Sequence, residues 1–326
     1  MADYRSLGAE DIARIMLTLK APTVLMHARP DGDTVGTGIA LVKMFKKLGI
    51  KANYTCPDKI SERLRFITEG EEEADTFIGR ELVSVDVASP AQLGRFADVA
   101  DRIIFSVDHH SNNTPFADNF TIPDESSAGE VLFEVLSALI DMGKCKLDAE
   151  IAYPMYTAIS SDTGGFVFSS TTPLTHRRAA ILMETGIDFA DINHRLFFSK
   201  SKEQIAAEGF VASKLKTCAN GRIAYSSVSR KEREALGALY EHFETSIDVV
   251  RALLGAEVAV FSRENDEGVC KVSIRSTGLN VAAIAKEYNG GGHVRAAGCT
   301  PDAKSAEEAV DIIVKRIEKE LIKNEG

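Results

Sequence analysis

The sequence predicts an α/β fold in two parts, a parallel-sheet domain joined by a helical connector to a smaller α/β domain. Residues 1–190 alternate β-type apolar runs with amphipathic helical stretches, the pattern of parallel strands joined by crossover helices. Residues 191–216 form a long polar helical stretch, read as the connector between domains. Residues 217–326 return to strands and helices with a hairpin signal. A length of 326 residues also exceeds what one hydrophobic core usually serves.

Expected strands in the first part are Thr23–His27, Lys51–Cys56, Leu82–Val87 and Arg102–Val107. Thr34–Leu48 carries Ile39, Leu41, Val42, Phe45 and Leu48 at helical spacing and stops at Gly49, as a C-terminal glycine would stop it. Helices follow over Gly129–Met142 and Asp148–Ser161, the second expected to be kinked or shortened by Pro154. Pro173 suits the first turn of a helix running to Thr185. In the second part, strands are expected at Arg222–Val228, Glu257–Ser262 and Val269–Arg275, the last two turning through Asn265-Asp266-Glu267-Gly268. Helices are expected at Arg230–Leu239, Ser246–Leu254, Val281–Tyr288 and Ser305–Lys323.

Composition narrows the function. An apolar share of 44% with 26% charged residues is that of an ordinary globular protein. No stretch approaches the roughly 18 to 20 uncharged apolar residues that a membrane span needs, and Met1–Lys20 lacks a signal-like core, so a cytoplasmic protein without a membrane role is expected. Five cysteines without a two-residue spacing fit neither a disulfide framework nor a zinc ribbon. The net charge of −10 lies wholly in residues 1–210, because residues 211–326 hold 17 Lys+Arg against 17 Asp+Glu. An acidic half without a basic stripe argues against long duplex DNA as a partner, while short single-stranded oligonucleotides or nucleotide phosphates need only a few local cations.

Clusters of Asp and His follow the expected strands. His27, Asp31 and Asp33 sit in a loop tightened by Pro30 and Gly32, which can aim three side chains at one centre beside a helix N-terminus. An Asp-Gly turn with Asp33 as helix cap fits the same residues. Asp86 ends a strand before Ser89-Pro90, where an aspartate is also a common turn former. Asp108-His109-His110 tips the balance, since a carboxylate and two imidazoles behind a buried strand are costly without a purpose. Asp162 closes a helical run, where the helix dipole disfavours a negative charge unless a cation sits beside it. Two His and four Asp suffice for two divalent cations with one shared carboxylate. Oxygen ligands mixed with imidazole favour Mn²⁺, with Mg²⁺, Co²⁺ or Fe²⁺ as substitutes.

The ordered segments HARPDGDTVGT, LVSVDV, VDHHSNN and ISSDTGGF resemble the four amino-terminal motifs of the DHH phosphoesterase superfamily. VSIRS at Val272–Ser276 and GGGHVRAAG at Gly290–Gly298 resemble its DHH-associated domain, and size and layout resemble the bacterial oligoribonuclease and pAp phosphatase subgroup. The resemblance implies a DHH domain over 1–190 and a DHH-associated domain over 217–326. It implies His27, Asp31 and Asp86 at one metal, Asp33, Asp86, His109 and Asp162 at the other, and Asp86 as the bridge. His110 is then expected to face the substrate phosphate, with Asp108 beside it as the other candidate catalytic residue.

The chemistry so implied is hydrolysis of a phosphoester by a water activated between two cations. Arg275, Ser276, Gly290, Gly291, Gly292, His293 and Arg295 are the expected substrate residues: arginine can pair with phosphate through two parallel bonds, and the glycine run allows a close backbone approach. A triple glycine alone is equally a flexible turn. If the ligand engages both domains, reach limits its length, favouring 3′,5′-bisphosphonucleosides and oligomers from dimers to about pentamers. Phe166, Phe168, Phe197 and Phe198 read as core before they read as base-stacking groups. Competing readings are a cyclic dinucleotide or pApA phosphodiesterase, an exopolyphosphatase or pyrophosphatase, and a nucleotide-sensing module without turnover. The connector leaves a homodimer open.

Overall fold

A computed structural model describes residues 4–323, and contacts divide the chain into two compact units, one ending at Ser199 and the other beginning at Lys200. The first unit runs α1 (Ala9–Met16), β1 (Pro22–Leu25), α2 (Gly32–Lys47), β2 (Asn53–Thr55), β3 (Glu81–Val85), β4 (Ile103–Asp108), β5 (Asp118–Thr121), α3 (Ala128–Asp141), α4 (Ala149–Asp162), α5 (Pro173–Met183) and α6 (Phe189–Asn193). Its five strands are all parallel, in the order β2-β1-β3-β4-β5. The chain leaves β1 toward one side to form β2 and returns to the other side to form β3. The connections therefore diverge at the carboxyl ends of β1 and β3, which is where an open α/β sheet opens a crevice.

Glycines of α2 and α3 set how closely the helices approach. A Cβ on Gly36 would lie 2.5 Å from the Pro154 carbonyl and 2.7 Å from the Ala158 nitrogen, and one on Gly129 would lie 2.7 Å from the Ala158 Cβ. Glycine thus lets α2 and α3 lie directly on α4. That helix runs unbroken through Pro154, so the expected shortening does not occur; burial of Pro154 against α2 holds the turn that the missing N–H would otherwise have held. Pro173 lies in the first turn of α5, as the sequence predicts, and Thr172 caps it.

Several elements carry too little pattern to be predicted. Helix α1 is short, and β5 (Asp118-Asn119-Phe120-Thr121) is a polar edge strand with one buried residue. In the acidic run 69–75 the Glu71 carboxylate is covered by Lys43 and Lys46, each 2.6 Å away.

The stretch 191–216 is divided between the two units rather than forming one helix. After α6 comes a single π-helical turn, His194–Phe198; the chain then breaks, and Ser201 and Gln204 form a capping box that starts α7 (Lys202–Ser213). Ala207 and Val211 of α7 are buried in the second unit's core.

That second unit continues β6 (Lys216–Cys218), β7 (Ile223–Val228), α8 (Arg230–Ala235), α9 (Ile247–Arg251), β8 (Val258–Glu264), β9 (Cys270–Ser276), α10 (Val281–Lys286), β10 (Gly291–His293), β11 (Ala296–Cys299) and α11 (Ala306–Lys323). The sheet order is β10-β11-β9-β8-β7-β6, with only β7 and β8 parallel. Buried residues of α10 and α11 form a core with strand residues including Val258, Val272 and Ile274, and those of α7 and α9 form another with residues including Ala224, Ala259 and Phe261. The expected turn joins β8 to β9, with the Asn265 side chain accepting from the Glu267 and Val269 nitrogens. Among the described residues no helix is long and apolar enough to cross a membrane.

Gly36→Ala should lower the unfolding free energy by about 1–3 kcal/mol, because overpacking against backbone outweighs the roughly 1 kcal/mol helix-propensity gain. Gly209→Ala in α7, where a Cβ meets nothing within 4 Å, should shift the urea midpoint the opposite way. Midpoint shifts of the same sign in both variants would contradict the packing account.

Candidate metal centre

Three strand ends and two helix ends build the centre. His27 lies two residues after β1, and Asp31 caps α2, accepting from the nitrogens of Asp33 and Thr34 at 3.1 Å each. The capping role in the Asp-Gly turn therefore belongs to Asp31, which leaves Asp33 in the first helical turn and fully buried. Asp86 follows β3 with φ 57, a left-handed conformation that costs a non-glycine residue energy and persists where the surroundings enforce it. Asp108 ends β4, with His109 and His110 behind it, and Asp162 ends α4.

All six expected metal-site residues converge. Ligand atoms of His27, Asp31 and Asp86 lie within 4.8 Å of one another, as do those of Asp33, His109 and Asp162. Asp86 faces both groups: one oxygen is 3.3 Å from His27 Nε2, and the other is 3.6 Å from His109 Nε2. A third grouping joins Asp86, His109 and His110. His109 Nε2 is also 3.5 Å from Asp162 and 3.7 Å from Asp33.

The hydrogen bonds behind these atoms turn them toward the centre. His27 Nδ1 sits 2.8 Å from the Ala28 carbonyl and His109 Nδ1 sits 3.2 Å from the Glu125 carbonyl. A carbonyl only accepts, so Nδ1 carries a proton in each ring and Nε2 is the atom turned toward the carboxylates, the one that can ligate a cation once it is unprotonated. Asp33 accepts from the nitrogens of Ala128 (2.7 Å) and Gly129 (3.1 Å) at the start of α3 and from the Thr37 hydroxyl (2.9 Å). Two helix N-termini thus face the acidic cluster, their dipoles favouring its charge.

What these bonds do not settle, a cation would. The buried Asp86 Oδ1 accepts no hydrogen bond among the described residues. Asp33 is pushed well above the ordinary carboxylate range, first by burial and then by the charges of Asp86 and Asp162; Asp162 is pushed the same way by burial, Asp31 and Asp86. Burial opposes the charged form of His27, yet Asp31 and Asp86 hold its pKa well above the usual value. An orphaned oxygen, mutually repelling carboxylates and two aimed imidazoles fit divalent cations. The nearby Cys56 thiol, pushed up to about 11 chiefly by burial, stays protonated and adds no thiolate.

His110 stands apart from this set. Its Nδ1 is 2.7 Å from the buried Asp108, which also accepts from the Asn113 amide. Burial works against the imidazolium, but Asp108 and then Asp86 raise its pKa to about 9, so it is protonated at neutral pH. Asp108 thus orients and charges His110 without joining either metal grouping.

The expected substrate residues lie in the second unit. Arg275 and Ser276 end β9, and Arg275 is in register with Ala296 of β11. The glycine run is not an open loop: Gly291 and Gly292 belong to edge strand β10, with His293 closing it. A Cβ on Gly290 would lie 2.1 Å from the Gly298 carbonyl, and one on Gly292 2.5 Å from that of Ala296, so these two glycines admit the β10–β11 hairpin itself. His293 and Arg295 are exposed. Of the four phenylalanines, Phe166 and Phe197 pack on the core, whereas Phe198 is 72% exposed.

Sequence reasoning missed the braces. Gln92 accepts from the Ala28 nitrogen through its carbonyl (2.6 Å) and from the Ala88 nitrogen through its side chain (2.5 Å), tying the loop after β1 to that after β3. Asn113 was legible as part of VDHHSNN; Gln92 and Glu125 carry no local signal.

Residues 23–159 match the family model described as DHH family, N-terminal domain, and residues 220–321 match that described as DHHA1 domain. The bifunctional oligoribonuclease and PAP phosphatase NrnA of Thermus thermophilus is 31% identical over 95% of this chain and 93% of its own length. The chain belongs to the DHH family. The Bacillus subtilis protein of the same name is 25% identical over 84% of this DHH-family chain and 87% of its own length. A solved exopolyphosphatase-related protein from Bacteroides fragilis shares the fold, with a TM-score of 0.85 and 22% identity over 97% of this chain and 96% of that one.

A cation would compete with protons in this centre, because a ligand atom whose pKa is raised must give up its proton to bind. Binding of Mn²⁺ should release protons, and its affinity should weaken as pH falls through the neutral range. Calorimetry in two buffers of different protonation enthalpy checks this; a buffer-independent binding enthalpy would contradict it.

Proposed function

We propose that this chain is a two-metal phosphoesterase that hydrolyses short oligoribonucleotides and 3′,5′-bisphosphonucleosides such as pAp in the cytoplasm. The observation that carries the reading is Asp86, whose two oxygens face His27 on one side and His109 on the other, the arrangement of a carboxylate shared by two cations. His27, Asp31 and Asp86 would hold one ion, and Asp33, Asp86, His109 and Asp162 the other. Manganese fits best, since the donors are carboxylate oxygens and imidazole nitrogens without thiolate. The substrate class is supported by likeness to the relatives named oligoribonuclease and PAP phosphatase, which extends over nearly the whole chain.

When bound, the metal pair supplies positive charge that activates a water and offsets the charge building on the phosphoryl oxygens. The chain's own residues do the rest. Asp33, locked by three donors, and His109, locked by the Glu125 carbonyl, keep their ligand atoms fixed through turnover. His110, oriented by Asp108, contacts the scissile phosphate or gives a proton to the departing oxygen. In the second unit, Arg275 forms no ion pair with a carboxylate among the described residues, and burial lowers its pKa. A guanidinium in that state gains most from an anionic ligand, so Arg275 is assigned a substrate phosphate, with Ser276, Gly290, Gly291, Gly292, His293 and Arg295 around it.

A Mn²⁺ activity panel of pAp, pApA, cyclic di-AMP, a five-nucleotide RNA and pyrophosphate tests the substrate class. Turnover should be fastest on pAp and the short RNA; preference for pyrophosphate or the cyclic dinucleotide would replace this reading. His110→Ala should retain Mn²⁺ yet lose roughly 10²–10⁴-fold in kcat, the usual range for a positioned proton donor. Normal turnover in that variant would remove the role given to His110.

A further inference from the structure

Behind the centre lies a buried charge cluster with no part in the chemistry above. Arg178 of α5 is 3% exposed. Its guanidinium grips Glu125 with two bonds, Nη1 to Oε2 at 2.5 Å and Nη2 to Oε1 at 2.9 Å, and Nη1 also reaches Glu130 at 3.0 Å. Nη2 bonds Glu134 as well. Glu130 is fully buried, and its Oε2 accepts from the Ser126 nitrogen (3.0 Å), the Ser126 hydroxyl (2.5 Å) and the Thr175 hydroxyl (3.1 Å).

The segment held in this way is the one that supplies three backbone groups to the metal centre. Glu125 provides the carbonyl that fixes the His109 ring; Ala128 and Gly129 provide the N–H groups that fix Asp33. Arg178 grips the segment at both ends, at Glu125 and at Glu130, and among the described residues its hydrogen bonds go to Glu125, Glu130 and Glu134 rather than to an expected ligand. We propose that Arg178 is a positioning residue: by clamping residues 125–130 from behind, it sets the orientation of His109 and Asp33 and so the affinity of the site they share. The inference rests on the metal reading given above.

Groups that orient ligands in this way characteristically cost roughly 10–100-fold in metal affinity when altered. Lysine keeps the charge but cannot span two carboxylates with a planar fork. Manganese should therefore be titrated into the metal-stripped full-length protein, reading free Mn²⁺ by electron paramagnetic resonance, beside the melting temperature. Arg178→Lys and Glu125→Gln, the latter leaving the Glu125 carbonyl in the chain, are each expected to weaken binding roughly 10–100-fold. Arg233→Lys, at another buried arginine, controls for simple destabilisation and should lower the melting temperature with affinity unchanged. Wild-type affinity in both Arg178→Lys and Glu125→Gln, with only the melting temperature lowered, would overturn the proposal. Should Arg178→Lys fail to fold, the affinity of Glu125→Gln alone decides between the two results. A wild-type chain that binds no Mn²⁺ would instead overturn the metal reading itself, and the clamp with it.

Discussion

Crowded carboxylates are the constraint on which the first unit is built. Asp31 and Asp33, Asp86, and Asp162 come from three separated places in the chain and meet within reach of two imidazoles. Like charges so close repel, and burial raises the cost further, as the upward pKa shifts of Asp33 and Asp162 record. Such an assembly survives only if the rest of the unit holds it together until a cation balances it. Parallel strands, helix N-termini and backbone donors all serve that end.

The sheet does so by topology. His27 and Asp86 leave adjacent strands at the point where the connections diverge, so the crevice is present before any side chain is considered. Helices α2 and α4 then bring Asp33 and Asp162 over it. Behind them, a layer of hydrogen bonds converts approximate proximity into aimed lone pairs, with Gln92, Glu125, Asn113 and the start of α3 as its parts.

Much of this was legible in the sequence, for a physical reason. A ligand that must follow a buried strand sits next to an apolar run, and that juxtaposition survives in one dimension. Asp108-His109-His110 stood out in this way, and the central strands and long helices fell within a few residues of their expected places. Asp86 looked like a turn former because its distinguishing property is a backbone angle, which no side-chain pattern encodes. Edge strand β5 and the β10–β11 hairpin were invisible for a related reason: polar or glycine-rich strands lack the alternation that marks a half-buried surface. The grip of Arg178 on Glu125 spans 53 residues and leaves no local trace at all.

The contact of Gly36 with the Pro154 carbonyl and Ala158 has a consequence for the centre as a whole. Where two helices touch main chain to main chain, their separation is the thickness of the backbone, and no side chain can be trimmed or lengthened to adjust it. The span between Asp33 on one helix and Asp162 on the other is therefore a fixed gauge. Repacking the surrounding aliphatic residues would soften the unit without changing that gauge, so ion preference in this scaffold is open to redesign through the donor atoms while the spacing stays constant.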